Sequence, residues 1–442
     1  MNIKQFEYKP LAHYSYAIVS NGEMAVIDPE RDPKAYYDFA EKNNAKIVAV
    51  IETHPHADFV SSHLQIHKET GATIYNSVKL GADYPHNPFD DGDSITIGDI
   101  LLEAINTPGH SPDSITIVAT QADETALFTG DTLFIGDVGR PDLRENVGNM
   151  KAKREELAEM MYQSITTKFN HLPDNAIVYP AHGAGSLCGK NLSEANSSTL
   201  GNERLGNWAF KSQTKEAFMN TILDGQPFIP SYFGFDVDTN KAGAETLKVS
   251  IDSVPFKKDE TATGLIVDIR DEADFKKGHL PGSINIMGVS ETEKFETWLG
   301  AIVQPKEPFT LVVASEDQKD YILNRVAKIG YEKQLTQVIT ISEENLVETE
   351  KLDLVDFKEN PENYTIIDIR NTSEVNEERF FDTAKSYPLN ELRENANNIP
   401  TNKPVVVHCA GGYRSAAGSS ILENILKNTT VFDLSEDINN FK

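Results

Sequence analysis

Directly after the apolar run 47–51, the chain reads Thr53-His54-Pro55-His56-Ala57-Asp58-Phe59. The β-branched run predicts a strand, and imidazoles with a carboxylate at a strand end suit borderline divalent metals. Three later segments repeat this arrangement, because each places a His or Asp after a strand-like run and beside Gly or Pro. They contain His110 in 107–112, Asp131 in 129–133 and His182 in 179–183. Four such segments indicate a metal centre rather than scattered surface histidines.

The sequence around these segments, up to about residue 240, alternates strand-like runs with helical stretches. It predicts a hairpin from 16–19 and 24–28, a helix from Lys34 to Asn43 and an amphipathic helix from Lys151 to Phe169. Further strands are expected at 94–97, 100–104, 115–118 and 126–128. This order favours an αββα sandwich. The polar stretch 236–250 is interpreted as a linker.

The second half of the chain contains an internal repeat. Ile266-Val267-Asp268-Ile269-Arg270 recurs as Ile366-Ile367-Asp368-Ile369-Arg370, and the apolar run 309–313 parallels 404–408. Short apolar runs followed by helical stretches are typical of parallel, doubly wound α/β sheets. We therefore expect an α/β multidomain chain with domains at 1–240, 250–347 and 350–442.

Composition narrows the function classes. The 442 residues contain 41 basic and 68 acidic side chains, so the formal charge is 41 − 68 = −27. This balance disfavours nucleic acid and anionic membranes as partners. The two cysteines, Cys188 and Cys409, exclude a disulfide scaffold and a cysteine-rich zinc module. The start has no apolar signal-peptide core, and no apolar run approaches a membrane span, so we expect a cytoplasmic protein.

The four metal segments resemble those of the metallo-β-lactamase superfamily, whose fold is the αββα sandwich. Hydrolases of that superfamily such as glyoxalase II carry His-x-His-x-Asp-His and hold two metals, whereas this chain has Phe59 at the last position. The sequence is more similar to the persulfide dioxygenase branch, which uses one Fe(II). That resemblance implies the metal ligands His54, His110 and Asp131, with zinc as an alternative ion after isolation. The resemblance also implies a role for a second group, which comprises His56, Asp58 and His182. These residues orient the metal ligands or form part of a second metal site.

The resemblance also implies functional roles for two more residues near this centre. Arg140 follows Gly139 in an element that lies beside the substrate thiol in this branch, although a salt bridge with Asp131 or Asp142 is the alternative. Cys188 resembles an extra cysteine of persulfide dioxygenase–rhodanese fusions, and Lys190 beside it could lower its pKa. The alternative for Cys188 is an inert buried thiol.

A strand is predicted to end at Cys409, a short loop with Gly411, Gly412 and Tyr413 leads to Arg414, and a helix is expected to begin near Ser415. A short glycine-containing loop before a helix aims backbone N–H groups at the sulfur, and the Arg414 charge adds to the positive helix end. The loop resembles that of a rhodanese, in which the bound group is one sulfur; phosphatases usually have a loop one residue longer. This resemblance implies that Cys409 and Arg414 are catalytic and that Gly411, Gly412 and Tyr413 bind the substrate. In the first repeat the equivalent residue is about Ser315, followed by the acidic stretch 316–320, so we expect an inactive spacer or interface there.

The whole order resembles bacterial persulfide dioxygenase–rhodanese fusions. It implies that O₂ oxidises a low-molecular-weight thiol persulfide to sulfite and the thiol, that Cys409 carries sulfur to form thiosulfate, and that the two steps serve sulfide detoxification. It also implies a homo-oligomer, either a dimer or a tetramer. The thiol carrier stays open among glutathione, coenzyme A, bacillithiol and cysteine. The alternatives are a di-zinc thioester hydrolase of the glyoxalase II type and a sulfur-carrier or sensor protein.

Overall fold

A computed structural model describes residues 1–143, 153–262 and 264–442 of the chain. The described residues form two compact units. The first comprises Met1–Ser250 with Ala327–Gly330, and the second comprises Ile251–Val326 with Tyr331–Lys442.

The first unit contains two six-stranded sheets. One sheet has the spatial order β1 to β6, and the other runs from β12 back to β7. The strands of the first sheet are β1 (Asn2–Tyr8), β2 (His13–Ser20), β3 (Glu23–Ile27), β4 (Lys46–Ile51), β5 (Thr73–Asn76) and β6 (Asn87–Pro88). Those of the second are β7 (Ser94–Ile97), β8 (Ile100–Asn106), β9 (Ile115–Gln121), β10 (Glu124–Gly130), β11 (Ile177–Pro180) and β12 (Ser198–Thr199).

The first half contains seven α-helices among the described residues. They are α1 (Lys34–Lys42), α2 (His63–Thr70), α3 (Arg154–Gln163), α4 (Leu200–Gly206), α5 (Lys215–Leu223), α6 (Tyr232–Ala242) and α7 (Leu247–Asp252). Side chains of β2, β3 and β4 pack against those of β8, β9 and β10 in the central core. Helices α1 and α2 pack on the outside of the first sheet, and α3 and α5 on the outside of the second. The predicted αββα sandwich is thus confirmed.

The period-two pattern of β8 shows why the sheets pack in this way. Ile100, Leu102 and Ala104 are buried between the sheets, whereas Leu101 and Glu103 between them are exposed. Successive side chains of a strand point to opposite faces, so this alternation turns one face of the strand into the core between the sheets and the other away from it.

Two expectations for this half differ from the structure. The helix predicted from Lys151 to Phe169 begins at Arg154 as α3 and continues as a π-helical turn, Ser164–Lys168; residues 151 and 152 lie outside the described residues. The linker predicted at 236–250 is wrong, because most of it lies in α6 and α7. Its polar residues are not solvated. Asp236 and Asn240 are buried, and Asn240 donates hydrogen bonds to the carbonyls of His56 and Phe59.

The second unit contains two parallel sheets. The first has the order β13-β17-β16-β14-β15 and the second has the order β19-β18-β20-β21. The strands are β13 (Phe256–Lys257), β14 (Leu265–Asp268), β15 (Ser283–Asn285), β16 (Phe309–Val312), β17 (Leu335–Ile339), β18 (Thr365–Asp368), β19 (Lys385–Ser386), β20 (Val405–His408) and β21 (Val431–Asp433). The helices are α8 (Glu272–Lys277), α9 (Phe295–Ile302), α10 (Lys319–Lys328), α11 (Leu354–Glu359), α12 (Thr372–Glu377), α13 (Leu392–Asn395) and α14 (Tyr413–Ile425).

The repeated Asp-Ile-Arg segment has the same structural role in both sheets. Asp268 ends β14 and receives hydrogen bonds from the Arg270 guanidinium, which also donates to the carbonyl of Gly278. Asp368 and Arg370 repeat this pairing at the end of β18. The repeat therefore preserves a scaffold contact, which explains why it persists where the cysteine is missing.

Candidate metal centre and sulfur-transfer loop

The loops that follow β4, β8, β10 and β11 bring the predicted metal residues together. His54, His110 and Asp131 are buried, and one ligand atom of each lies within 4.8 Å of the others. The Asp131 Oδ2 atom is 3.8 Å from His54 Nε2 and 3.5 Å from His110 Nε2. Residues from three separate loops thus face one point with two imidazole nitrogens and one carboxylate oxygen.

Hydrogen bonds to the other ring nitrogens orient the two histidines. His54 Nδ1 lies 3.0 Å from the hydroxyl of Thr53, which donates to Asp28 Oδ2 at 2.8 Å. His110 Nδ1 lies 2.9 Å from the backbone carbonyl of Arg140. Such contacts are the usual means of fixing the tautomer and ring direction of a metal-binding histidine. Both rings therefore present Nε2 towards Asp131.

The donor set fits a metal ion. Both carboxylate oxygens of Asp131 are buried and lack a hydrogen-bond partner among the described residues. A buried carboxylate without such partners is costly unless a cation neutralises it. Two imidazoles and one carboxylate are typical of non-heme Fe(II) sites, and the same donors also bind zinc.

His56, Asp58 and His182 form an adjoining buried group, also with ligand atoms within 4.8 Å of one another. His182 Nε2 is 3.5 Å from Asp58 Oδ2 and 3.6 Å from Asp131 Oδ1, so Asp131 lies between the two groups. His56 Nε2, however, lies 3.2 Å from Asp28 Oδ1. Although burial alone lowers the pKa of His56, the carboxylates of Asp28 and Glu52 raise it to about 9.

Phe59 occupies the position at which the related hydrolases carry a further histidine. Its ring is fully buried and packs against His13, with 3.9 Å between ring centroids, and against His56, at 4.4 Å. Burial, with the nearby His182 and His56, lowers the pKa of His13 well below its usual value. The ring stack therefore replaces a metal ligand with an apolar contact beside the second group.

Gly139 lies too close to the metal ligands to carry a side chain. A Cβ atom there would lie 1.9 Å from the Asp131 carbonyl oxygen and 3.1 Å from His110 Cβ. The next residue, Arg140, is almost fully buried and forms two hydrogen bonds of 2.7 Å to Asp142. Its guanidinium also donates to the carbonyl of Leu187 at 3.2 Å. Of the two roles considered from the sequence, this geometry is that of the structural salt bridge with Asp142.

Cys188 lies at the metal centre, in a group with Asp131 and His182 whose ligand atoms fall within 4.8 Å. Burial, followed by the charges of Asp131 and Asp58, raises the pKa of the Cys188 thiol well above its usual value. The expected lowering by Lys190 is wrong, because that ammonium donates to the carbonyls of Thr221 and Asp224, both at 2.7 Å.

The loop that carries Cys409 lies between a strand and a helix, as predicted, but β20 ends at His408 and α14 begins at Tyr413, two residues before the expected helix start. The Gly412 N–H donates to Cys409 Sγ at 3.2 Å, and Gly412 has a φ of 104°, a conformation that favours glycine. Gly411 is exposed and has open space around it. The loop thus points backbone donors and a helix N-terminus at the sulfur.

Arg414, close to Cys409 in the sequence, is paired with a carboxylate in the structure. Its guanidinium makes two hydrogen bonds to Glu374, at 2.6 and 2.7 Å. Although burial opposes the charged form, Glu374 and Cys409 raise the pKa of Arg414. The positive charge is therefore shared between a carboxylate and the sulfur.

Sequence reasoning missed three residues that support the metal centre, namely His13, Asp28 and Asn240. Asp28 has a φ of 51°, and it accepts hydrogen bonds from the backbone N–H and hydroxyl of Thr53. Its position at the end of the predicted hairpin strand 24–28 is the one signal that could have indicated it. Asn240 lay in the supposed linker, and no pattern distinguished it.

Comparisons with known proteins agree with this architecture. The metallo-beta-lactamase superfamily model matches residues 8–182, and the rhodanese-like domain model matches residues 255–339 and 352–442. Among the described residues, no helix has both the length and the apolar character that a membrane span requires.

Two curated relatives match the first half at equal identity. The cytoplasmic hydroxyacylglutathione hydrolase of Arabidopsis thaliana is 32% identical over 240 residues, which cover 52% of this chain and 82% of that protein. The mitochondrial persulfide dioxygenase ETHE1 of Bos taurus is 32% identical over 166 residues, which cover 36% of this chain and 59% of that protein. The match therefore spans less than two thirds of the bovine enzyme.

A solved structure matches across the boundary between the two units. The metallo-beta-lactamase from Staphylococcus aureus subsp. aureus COL is 30% identical with a TM-score of 0.70, and the match covers 77% of this chain and 99% of that chain. The geometry of the first half, the repeated parallel sheets of the second and these matches lead to one conclusion. The chain belongs to the metallo-β-lactamase superfamily and carries rhodanese-like domains in its C-terminal half.

Proposed function

We propose that the chain is a non-heme iron persulfide dioxygenase joined to a rhodanese-type sulfurtransferase. The observation that carries the proposal is the pairing of a two-histidine, one-aspartate group with the buried stack of Phe59 on His13 and His56. The two-histidine, one-aspartate group favours one Fe(II) with open coordination positions. Phe59, in turn, stands in place of a histidine that a two-metal hydrolase uses as a ligand.

In this proposal His54, His110 and Asp131 hold the iron, which supplies the binding and activation of O₂. The overall reaction is R–S–SH + O₂ + H₂O → R–SH + SO₃²⁻ + 2 H⁺, so the terminal sulfur is oxidised and the S–S bond breaks. His182 and Asp58, which lie 3.5 Å apart beside Asp131, are placed to accept the released protons.

Cys188 is the thiol nearest to this centre. Because burial and the nearby carboxylates hold its pKa high, the thiol stays protonated until a cation offsets those charges. A role in handling sulfur at the metal therefore depends on metal loading. Arg140 contributes through its backbone, which accepts from His110 and donates to the Cys188 carbonyl at 3.0 Å, so we assign it to positioning.

Cys409 performs the second reaction. Its persulfide transfers the outer sulfur to sulfite: Cys–S–S⁻ + SO₃²⁻ → Cys–S⁻ + S₂O₃²⁻. The N–H of Gly412 and the N-terminus of α14 stabilise the sulfur anion on both sides of this step. Together the two reactions would remove sulfide as thiosulfate in the cytoplasm, with small thiol persulfides as substrates of a homo-oligomeric enzyme.

A di-zinc thioester hydrolase is the second candidate. His56, Asp58 and His182 still lie close enough to share an ion, and the Arabidopsis hydroxyacylglutathione hydrolase is as similar to the first half as the bovine persulfide dioxygenase is. Two zinc ions per chain with thioester turnover would favour this candidate.

The deciding experiment measures O₂ consumption by Fe(II)-loaded protein when coenzyme A persulfide or glutathione persulfide is added. One O₂ consumed per persulfide, with sulfite formed, supports the dioxygenase and ranks the carriers. No uptake by protein that holds one iron per chain rejects it. Cys409→Ser should retain O₂ uptake and lose thiosulfate formation, whereas His54→Ala should lose O₂ uptake.

A further inference from the structure

Helix α14, which follows the Cys409 loop, is buried on more than one face. Residues 415–422 are all buried. A Cβ atom on Gly418 would lie 2.6 Å from Ile369, so this side of the helix packs on its own sheet. Ser420 lies on a different side and receives a hydrogen bond from the first repeat. Burial on two sides explains why residues 415–420 are all Ala, Gly or Ser.

The strand that contacts Ser420 is β15, an edge strand of the repeat that lacks the cysteine. The Asn285 N–H donates to Ser420 Oγ at 3.0 Å, and Asn424 Nδ2 donates to the Ser283 carbonyl at 3.0 Å. Residues 413, 420 and 424 are spaced by seven and four, so they form one stripe along the helix. Helix α14 thereby covers an edge that would otherwise expose unpaired backbone groups.

At the loop end of this stripe, the Tyr413 hydroxyl donates to the Met287 carbonyl at 3.0 Å. Tyr413 had been assigned to substrate binding from the sequence, but its hydroxyl is engaged by this carbonyl. The neighbouring guanidinium of Arg414 lies 6.0 Å from the ring centroid of Trp298 in α9. Two consecutive loop residues therefore contact the first repeat.

The opposite side of the loop has a second set of contacts with the first repeat. A Cβ atom on Gly412 would lie 3.2 Å from the Ser435 hydroxyl, so Ser435 packs directly on Gly412. That hydroxyl donates to the carboxylate of Glu272 at 2.8 Å. Two residues before it, Asp433 forms an ion pair of 2.8 Å with Lys276. Helix α8 of the first repeat thus braces the segment that covers Gly412.

The contacting segment of the first repeat is itself held rigidly. The buried Arg325 donates to the carbonyls of Gly288, Ser290 and Glu293 and makes two hydrogen bonds to Glu296, at 2.7 and 2.8 Å. These acceptors lie between Met287 and Trp298. A fully satisfied buried network of this kind specifies one conformation.

We infer that the cysteine-free rhodanese-like domain is a positioning domain for Cys409, and that Tyr413 is the residue through which it holds the loop 409–414. This inference rests on the proposed sulfurtransferase activity. The domain has lost its own sulfur site, but its edge strand and α8 keep the Gly412 N–H aimed at the sulfur of the neighbouring repeat.

The test compares Tyr413→Phe with Tyr387→Phe in the full chain. Both changes remove one hydroxyl that donates to a backbone carbonyl, but Tyr387 donates to Asn398 within its own repeat. The readouts are thiosulfate–cyanide sulfur transfer, the pH dependence of Cys409 alkylation by iodoacetamide followed on its peptide, and the thermal unfolding midpoint. We expect Tyr413→Phe to lower kcat about fivefold, the effect of one lost hydrogen bond, and to move the alkylation midpoint to higher pH. Tyr387→Phe should change neither.

Unchanged kcat and alkylation in a folded Tyr413→Phe variant would overturn the inference. If that variant does not fold, Ser435→Ala tests the same idea from the other side of the loop, with the same expected shifts. Failure of the proposed function is distinguishable, because the wild-type chain would then show no sulfur transfer, while the alkylation profiles would still report whether the loop had moved.

Discussion

Asn240 in α6 holds the loop that carries His56, although 184 positions separate them. Its side-chain nitrogen donates to the carbonyls of His56 and Phe59, both at 2.8 Å, and its oxygen accepts from the Ser61 N–H at 2.8 Å. One buried amide thus satisfies three backbone groups of this loop. The shape of the metal loop depends on this side chain.

Asn240→Ala should lower the free energy of unfolding by about 3 kcal/mol and reduce metal content, because three buried backbone groups lose their partner. Thermal unfolding and metal analysis of the same preparation measure both effects. Asn170→Ala is the matched control, since its amide donates to a helix carbonyl at the surface. Full metal content in a destabilised Asn240→Ala variant would show that the amide supports the fold but not the centre.

Phe59→His should raise metal binding from one ion towards two per chain after zinc loading. The new imidazole would lie beside His56, Asp58 and His182 and complete the usual ligand motif of the related hydrolases. Metal content per folded chain gives the answer, with wild-type protein loaded in parallel. A ratio that stays at one would mean that the stack with His13 is not what limits the second site.

Ser315→Cys, introduced together with Cys409→Ser, should not create a second sulfurtransferase. The residues after Ser315 form a 3₁₀ turn that starts with Glu316 and Asp317, and these carboxylates disfavour a thiolate. We expect transfer at least about 100-fold below wild type, the loss expected without a stabilised thiolate. Transfer above that of Cys409→Ser alone would contradict the assignment of this repeat as inactive.

Glu307→Gln should destabilise the chain at neutral pH but not in acid. The Arg393 guanidinium makes hydrogen bonds of 2.8 and 2.9 Å to this carboxylate and lowers the pKa of Glu307. A lowered pKa adds stability above the unfolded value of about 4.3, and this stability is lost as the pH falls through the folded value.

The pair is about 30% exposed, so we expect a difference of roughly 0.5–1 kcal/mol at pH 7 that narrows towards pH 4. Unfolding midpoints of both proteins across this range measure the difference. Arg393→Lys keeps the charge and loses the two-pronged contact, so it should show a smaller cost with the same pH trend. A difference that does not vary with pH would assign the effect to packing.

Particular residues show how far the sequence could be interpreted. The apolar run 47–51 with His54 after it predicted a strand with a metal ligand at its end, since a short run of β-branched and apolar residues is a local property. The repeat around Asp268 and Asp368 likewise predicted two parallel sheets. Asn240 and Asp236 were misassigned to a linker, because a polar residue carries no local sign of a buried partner far along the chain.

The partners of charged side chains were also beyond what the local sequence could predict. The sequence placed Arg140 and Arg414 near their sites, but it left Arg140 open between substrate and a salt bridge and gave no carboxylate partner for Arg414. In the structure Arg140 pairs with Asp142 and Arg414 pairs with Glu374. The choice depends on side-chain direction, which spacing along the chain does not determine.

The sequence by itself determined the layered fold, the ligand types of the metal centre and the position of Cys409 in a loop between a strand and a helix. Local periodicity, donor chemistry and glycine placement are enough for these conclusions. The tertiary structure alone decided that Phe59 stacks on His13, that Cys188 faces Asp131 and that Tyr413 binds the Met287 carbonyl. Each of these contacts joins residues that are distant in sequence, so their distances and burial exist only once the chain has folded.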